Sequence, residues 1–175
     1  MDNKLVSLLD ELRQCIPNPR MGLPEDIFYF ISQMTPLINV ELLIKNKTGQ
    51  TLLTWRHDQF YGPAWHMPGG IIRFKETLES RIVKVADAEL GCLVRWNPQP
   101  LYVHECVNKD RDVRGHFISF LYLCELVTDP HPGKQFIQGT PMHGNWAWHD
   151  CAPLNLLSVH EPFRVWIDKA TPLSV

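Results

Sequence analysis

Residues 65–92 read WHMPGGIIRFKETLESRIVKVADAELGC. The spacing in its second half predicts a helix from about Glu76 to Leu90, stopped by Gly91 as a C-cap. At about 100° per residue, Leu78, Ile82, Val85 and Ala86 form one apolar stripe. Glu89 falls near the centre of that stripe, where a leucine is the usual occupant. A buried carboxylate is costly unless it takes up a proton or finds a partner. A structural ion pair, or a place at the rim of the core, is the ordinary solution. The residues ahead of the helix offer another. Gly69 and Gly70 carry no Cβ, so backbone carbonyls there can approach an ion or ligand closely. A carboxylate beside exposed carbonyls is the oxygen-rich setting that Mg²⁺ prefers, with water and phosphates filling its remaining positions.

Either side of this stretch the pattern is mixed. Leu5, Leu8, Leu9 and Leu12 stand at i, i+3, i+4 and i+7, which predicts a short amphipathic helix that IPNPRMGLP then breaks. Pro24 followed by Glu25 and Asp26 predicts a helix start, with the helix running to about Met34. INVELLIKN and TLLTWRHD read as two strands joined by the short turn KTGQ. QFYGPAWHMPGG reads as a loop and IIRF as a short extended run before the central helix. PLYVHECV and HFISFLYLCEL are β-rich and separated by the charged NKDRDVRG. TDPHPGKQFIQGTPMHGN is a loop long enough to suggest function. WAWHD reads as a last short strand and EPFRVWIDKA as a closing helix. The expected class is α+β, a mixed β-sheet sandwiched between α-helices.

Composition narrows the functions. A chain of 175 residues, 45% hydrophobic and 21% charged, is expected to bury one core without staples. A net charge of −2 with no basic block gives nucleic-acid binding no electrostatic support. Five scattered cysteines without a CxxC pair argue against a disulfide framework or zinc site and fit a reducing cytoplasm. MDNKLVSLLDELRQC carries charges too often for a signal peptide, and no run approaches the roughly 20 apolar residues that span a membrane.

Gly70, five residues, Glu76, seven residues, then KVADAELGC from Lys84 to Cys92 resembles the Nudix box, G-x5-E-x7-R-E-U-x-E-E-x-G-U with U apolar. Lysine replaces arginine at Lys84, and two metal-binding glutamates are replaced by Val85 and Ala88. One box carboxylate survives at the metal positions, Glu89, a pattern similar to the GDP-mannose mannosyl hydrolase branch of Nudix proteins. The similarity runs from about Leu23 to Trp148, through LPEDIFYFISQMTPLINVELLIKNKTGQTLL and MHGNWAW. It implies a Nudix domain over residues 21–175, preceded by a helical extension over residues 1–20. It also implies hydrolysis of a nucleotide sugar such as GDP-mannose or GDP-glucose, with water attacking the anomeric carbon to release free sugar and nucleoside diphosphate.

Position by position, the resemblance places one Mg²⁺ or Mn²⁺ ion on the Gly69 carbonyl and Glu89. It makes His143 the general base and sets Arg56 against the departing diphosphate. It gives Glu41 a substrate contact in place of an aspartate. Ile71 stands where the branch has an arginine, and Arg73 is the nearby charge able to reach the diphosphate. Met142 stands where the branch has a glutamine ligand, and a thioether suits Mg²⁺ poorly. His104 and His116, on β-type runs, read as packing or secondary contacts. The resemblance implies a cytoplasmic homodimer. Two other readings stay open: a Nudix pyrophosphohydrolase in which Glu41 or Glu105 completes the metal site, and a binding module without turnover.

Overall fold

The computed structural model describes residues 3–169. α1 spans Asn3–Gln14 and α2 spans Glu25–Met34, where the leucine spacing and the Pro-Glu-Asp start place them. β1 (Leu37–Ile44) and β2 (Thr51–Arg56) follow, joined through the KTGQ turn. β3 (Ala64–His66) interrupts what the sequence suggests is a loop, and β4 (Gly69–Ile71) starts before the expected IIRF run. Then come α3 (Leu78–Val85), β5 (Val94–Trp96), β6 (Tyr102–Val107), β7 (His116–Leu126) and β8 (Trp146–His149). The closing helix is mostly a 3-10 segment, Ser158–Phe163, with a short α4 (Arg164–Ile167). Pro162 explains that departure, because it removes a backbone donor and crowds the preceding turn. The expected end of this helix at Ala170 lies outside the described residues.

The strands form two sheets. The larger has the order β4-β1-β7, with β5 and β6 pairing successive parts of the other edge of β7. β1 and β7 are parallel, and the remaining pairs are antiparallel, so this sheet is mixed. The smaller sheet is antiparallel, in the order β3-β2-β8.

The near-continuous apolar run of β1 follows from burial on both faces. Val40, Leu42 and Ile44 join Ile82 and Val85 of α3 in one core, while Leu43 joins Leu121, Leu123, Phe163 and Ile167 in another. The mixed sheet is therefore covered by α3 on one side and by the C-terminal helical segment on the other. Each fully buried aliphatic side chain contributes about 1.5–3 kcal/mol of apolar transfer.

α3 differs from the expected single helix in a way that matters. Thr77 caps its start, accepting from the Ser80 amide at 3.1 Å. Past Val85 the chain widens into a π-helical turn, Ala86–Leu90, closed by Gly91 in the left-handed region at φ 65°. A π turn shifts the register of everything after it. Leu90 consequently takes the core position, fully buried, and Glu89 moves to the edge of the stripe, half-buried. The carboxylate lies at the wall of a cleft, not at the centre of an apolar face.

Candidate active site

The cleft lies where the two sheets meet. β3 ends at His66, Met67 and Pro68 cross the gap, and β4 begins at Gly69. Leu42 donates to the Pro68 carbonyl and Ile72 to the Ile38 carbonyl, both at 2.9 Å. Between those bonds Glu41 and Gly69 face each other as a pair that does not exchange ladder bonds. Both the N–H and the C=O of Gly69 therefore point away from β1. The N–H donates to Glu89 Oε1 at 3.0 Å. Glycine is required here, since a Cβ would fall 2.9 Å from the Val40 carbonyl oxygen as well as 2.1 Å from Glu41 Oε2.

Glu89 Oε2 accepts from the Thr54 hydroxyl at 3.2 Å. Burial pushes the Glu89 carboxyl up to about 7, with Gly69 and Thr54 opposing the rise and the Glu41 carboxylate adding to it. A carboxylate in this condition gains from a cation beside it. Among the described residues no group of three His, Cys, Asp or Glu side chains is arranged to hold a metal ion. The donors present are oxygens: the Glu89 carboxylate and, facing the same side, the Gly69 carbonyl. That set fits one hard divalent ion whose other positions go to water and phosphate.

Two adjoining cavities, of about 170 and about 430 Å³, share Arg56, His66 and Gly69 as a common wall. The smaller is below the usual ~300–1,000 Å³ of small-molecule sites, so it serves better as one compartment of a joint cleft than as a site by itself. The larger contains Thr54, Arg56, Glu89, Lys134 and His143; the smaller contains Asn39, Glu41, Tyr61, Arg114 and Ser119.

Most of the expected site residues meet there. Arg56 is held by Asp58 at 2.6 Å and lies over the Tyr61 ring at 4.6 Å, which fixes its charge in the common wall. His143 comes from the long loop before β8 and is exposed, its Nδ1 accepting from the His57 amide at 3.2 Å. Glu41 is buried, accepting from Asn39 Nδ2 at 2.8 Å, with His160 Nε2 3.5 Å away. Arg73 does not line either cavity: its guanidinium lies against Gly22, and its amide donates to Glu76. Met142 is exposed, with its amide bonded to Asn145 Oδ1. His104 packs between Tyr102 and Phe163, and His116 meets Glu105, both away from the cleft.

Other box residues are structural. The Glu76 side chain is covered by Arg81 and Lys84, although the residue as a whole is half-buried. Burial works against its ionisation, yet the bonds from Lys84, the Arg73 amide and Arg81 bring its pKa down to about 2. Val85 packs against Gly70 inside the core, and Ala88 is exposed on the cleft wall.

Three cleft residues carried no sequence signal of their own. Thr54 and His66 come together because β2 and β3 pair them directly across the sheet, with Thr54 Oγ1 and His66 Nε2 2.9 Å apart. Lys134 sits in a short 3-10 turn of the long loop and donates to the Glu89 carbonyl at 3.1 Å. The loop's length flagged it as functional, but nothing in its composition singled out this lysine.

The NUDIX domain model matches residues 35–170. The chain belongs to the NUDIX domain family. The stretch from Gly70 to Cys92 and its π-turned helix lie inside that match. One curated relative, the low-salt glycan biosynthesis protein Agl8 of Haloferax volcanii, is 36% identical over 73 residues. The match covers 42% of this NUDIX chain and 46% of that protein, so the chain spans about half the length of the relative it matches. Among solved structures, a MutT NUDIX hydrolase from Burkholderia pseudomallei superposes with a TM-score of 0.56 at 19% identity, covering 78% of this chain and 99% of that one. A UDP-X diphosphatase gives a TM-score of 0.55 at 18% identity, covering 94% and 76%. At these identities the structural likeness speaks for the NUDIX fold alone.

Proposed function

We propose that this NUDIX chain is a divalent-metal-dependent hydrolase of nucleoside-diphosphate sugars, releasing free sugar and nucleoside diphosphate. The observation that carries the reading is a cleft with one box carboxylate, Glu89, and a loop histidine, His143, lining the same cavity. Where the usual box supplies two more acids, this chain has a core valine and an alanine. The Agl8 similarity supports a glycan-linked substrate.

Glu89 and the Gly69 carbonyl would hold the ion, which when bound neutralises charge on the departing diphosphate. Arg56 stabilises the same leaving group with a fixed charge that Asp58 and Tyr61 keep in place. Lys134 adds a second cation on that wall. In the neutral His143 ring Nδ1 carries the lone pair, so Nδ1 takes the proton from the attacking water. Its long contact from the His57 amide gives way as that water enters. Glu41 and Asn39 offer acceptors to sugar hydroxyls in the smaller compartment. This reading places the protein in a reducing cytoplasm and treats it as a homodimer.

Turnover of GDP-mannose, GDP-glucose and UDP-sugars in H₂¹⁸O tests the assignment. Label is expected in the free sugar, with loss of about 10²–10⁴-fold in kcat for His143→Gln and a comparable loss for Glu89→Gln. Label in a phosphate product would replace the reading with ordinary diphosphate cleavage. The diphosphatase reading has one supporting observation, the Glu41 carboxylate on the far side of Gly69.

A further inference from the structure

Behind Glu89 stands a second layer that the proposed reaction does not use. Glu89, when ionised, only accepts hydrogen bonds, and Thr54 donates its single hydroxyl hydrogen to Oε2. The Thr54 oxygen can then only accept from its other neighbour, His66 Nε2 at 2.9 Å. His66 is 9% exposed and sits on the wall shared by both cavities. We propose that His66 is a positioning residue: as the Nε2–H tautomer it donates to Thr54, and this directs the Thr54 hydrogen onto Glu89 and fixes the carboxylate for a divalent ion.

Several features support this direction of the chain. Burial holds His66 well below its ordinary pKa, with His160, Arg56 and His143 adding to that and a Met67 backbone contact opposing it, so the neutral ring prevails. A neutral ring has one N–H to give. The cross-strand pair Thr54–His66 sets the geometry from the backbone register, while the Trp55–Trp65 pair next to it faces the core and locks that register, with ring centroids 5.3 Å apart. On Glu89 itself, Thr54 and the Gly69 amide take one lone pair on each oxygen, leaving the others facing the cleft. A carboxylate held at both oxygens loses less rotational freedom when it takes a metal.

The inference rests on the metal-binding reading of Glu89 and is tested on binding, not turnover. Mn²⁺ affinity is measured by calorimetry on wild type, His66→Leu, Thr54→Val, the double variant and Thr54→Ser, with thermal melting as the control for folding. His66→Leu and Thr54→Val are each expected to weaken Mn²⁺ by about tenfold, the usual range for residues that orient a metal ligand. The double variant should be no worse than Thr54→Val alone, because both act through one chain. Thr54→Ser, which keeps the hydroxyl, should stay within about twofold of wild type on that same basis. Unchanged affinity in folded His66→Leu, or losses that add in the double variant, would overturn the positioning role alone. Wild type without Mn²⁺ binding would instead overturn the metal reading and this inference with it.

Discussion

Glu89 shows what one residue gives up for a site. Its carboxyl is pushed from an ordinary 4.5 up to about 7. The folded state therefore holds this proton more tightly than the unfolded chain does. Stability is lost as pH rises from about 4.5 to about 7, and the full penalty applies above that. In EDTA, Glu89→Gln should unfold at higher denaturant than wild type at pH 8, by on the order of 1–2 kcal/mol, and match it near pH 4. Equal stability at both pH values would mean the carboxylate is well solvated. The sequence made Glu89 legible because a fixed pattern of glycines and acids surrounds it. It left Thr54, His66 and Lys134 dark, because pairing between strands and a loop's path bring them in, and neither leaves a local spacing. Arg73 is the opposite case. Two residues along an extended run suggested the same face as Ile71, but β4 ends at Ile71, and the chain turns Arg73 toward Gly22.

The helix expected from about Glu76 to Leu90 is an α-helix that widens into a π turn. Periodicity at 3.6 residues cannot reveal an extra residue in a turn, which is why Leu90 takes the core position expected of Glu89. Its N-terminal end is anchored by Glu76. With its pKa at about 2, below the ordinary 4.5, this carboxylate stabilises the fold above pH 4.5 and loses that contribution as pH falls from 4.5 toward 2. Lys84 is half exposed and screened, so Glu76→Gln should cost about 1–2 kcal/mol at pH 7 and almost nothing at pH 2, read from urea midpoints at the two pH values. Helices and strands with strong chemistry at their ends were readable: α2 begins after Pro24 and ends at Met34 as its residues suggest. β3 was not, since three residues inside a Pro- and Gly-rich run give no alternation to detect.

Across the molecule, the mixed sheet with helices on both faces was legible from element order, whereas the transfer of β2, β3 and β8 to a second sheet was not. Strand order depends on long-range pairing, which local pattern does not encode. α1 contributes no buried residue and leaves Leu5, Leu8 and Leu9 exposed. Removal of residues 1–20 should therefore keep the melting temperature within about 4 °C, the equivalent of less than roughly 1 kcal/mol. Calorimetry checks that expectation, and light scattering on the same samples reads the oligomeric state with and without the extension. A larger drop would make this segment part of the domain.

Only Met67 and Pro68 carry the chain from β3 to β4. A molecule seated between Arg56 on one side and Glu89 with Gly69 on the other would act as a rivet through two plates that already share both cores. Occupancy should then raise the unfolding midpoint of the whole domain, since each core draws side chains from both sheets.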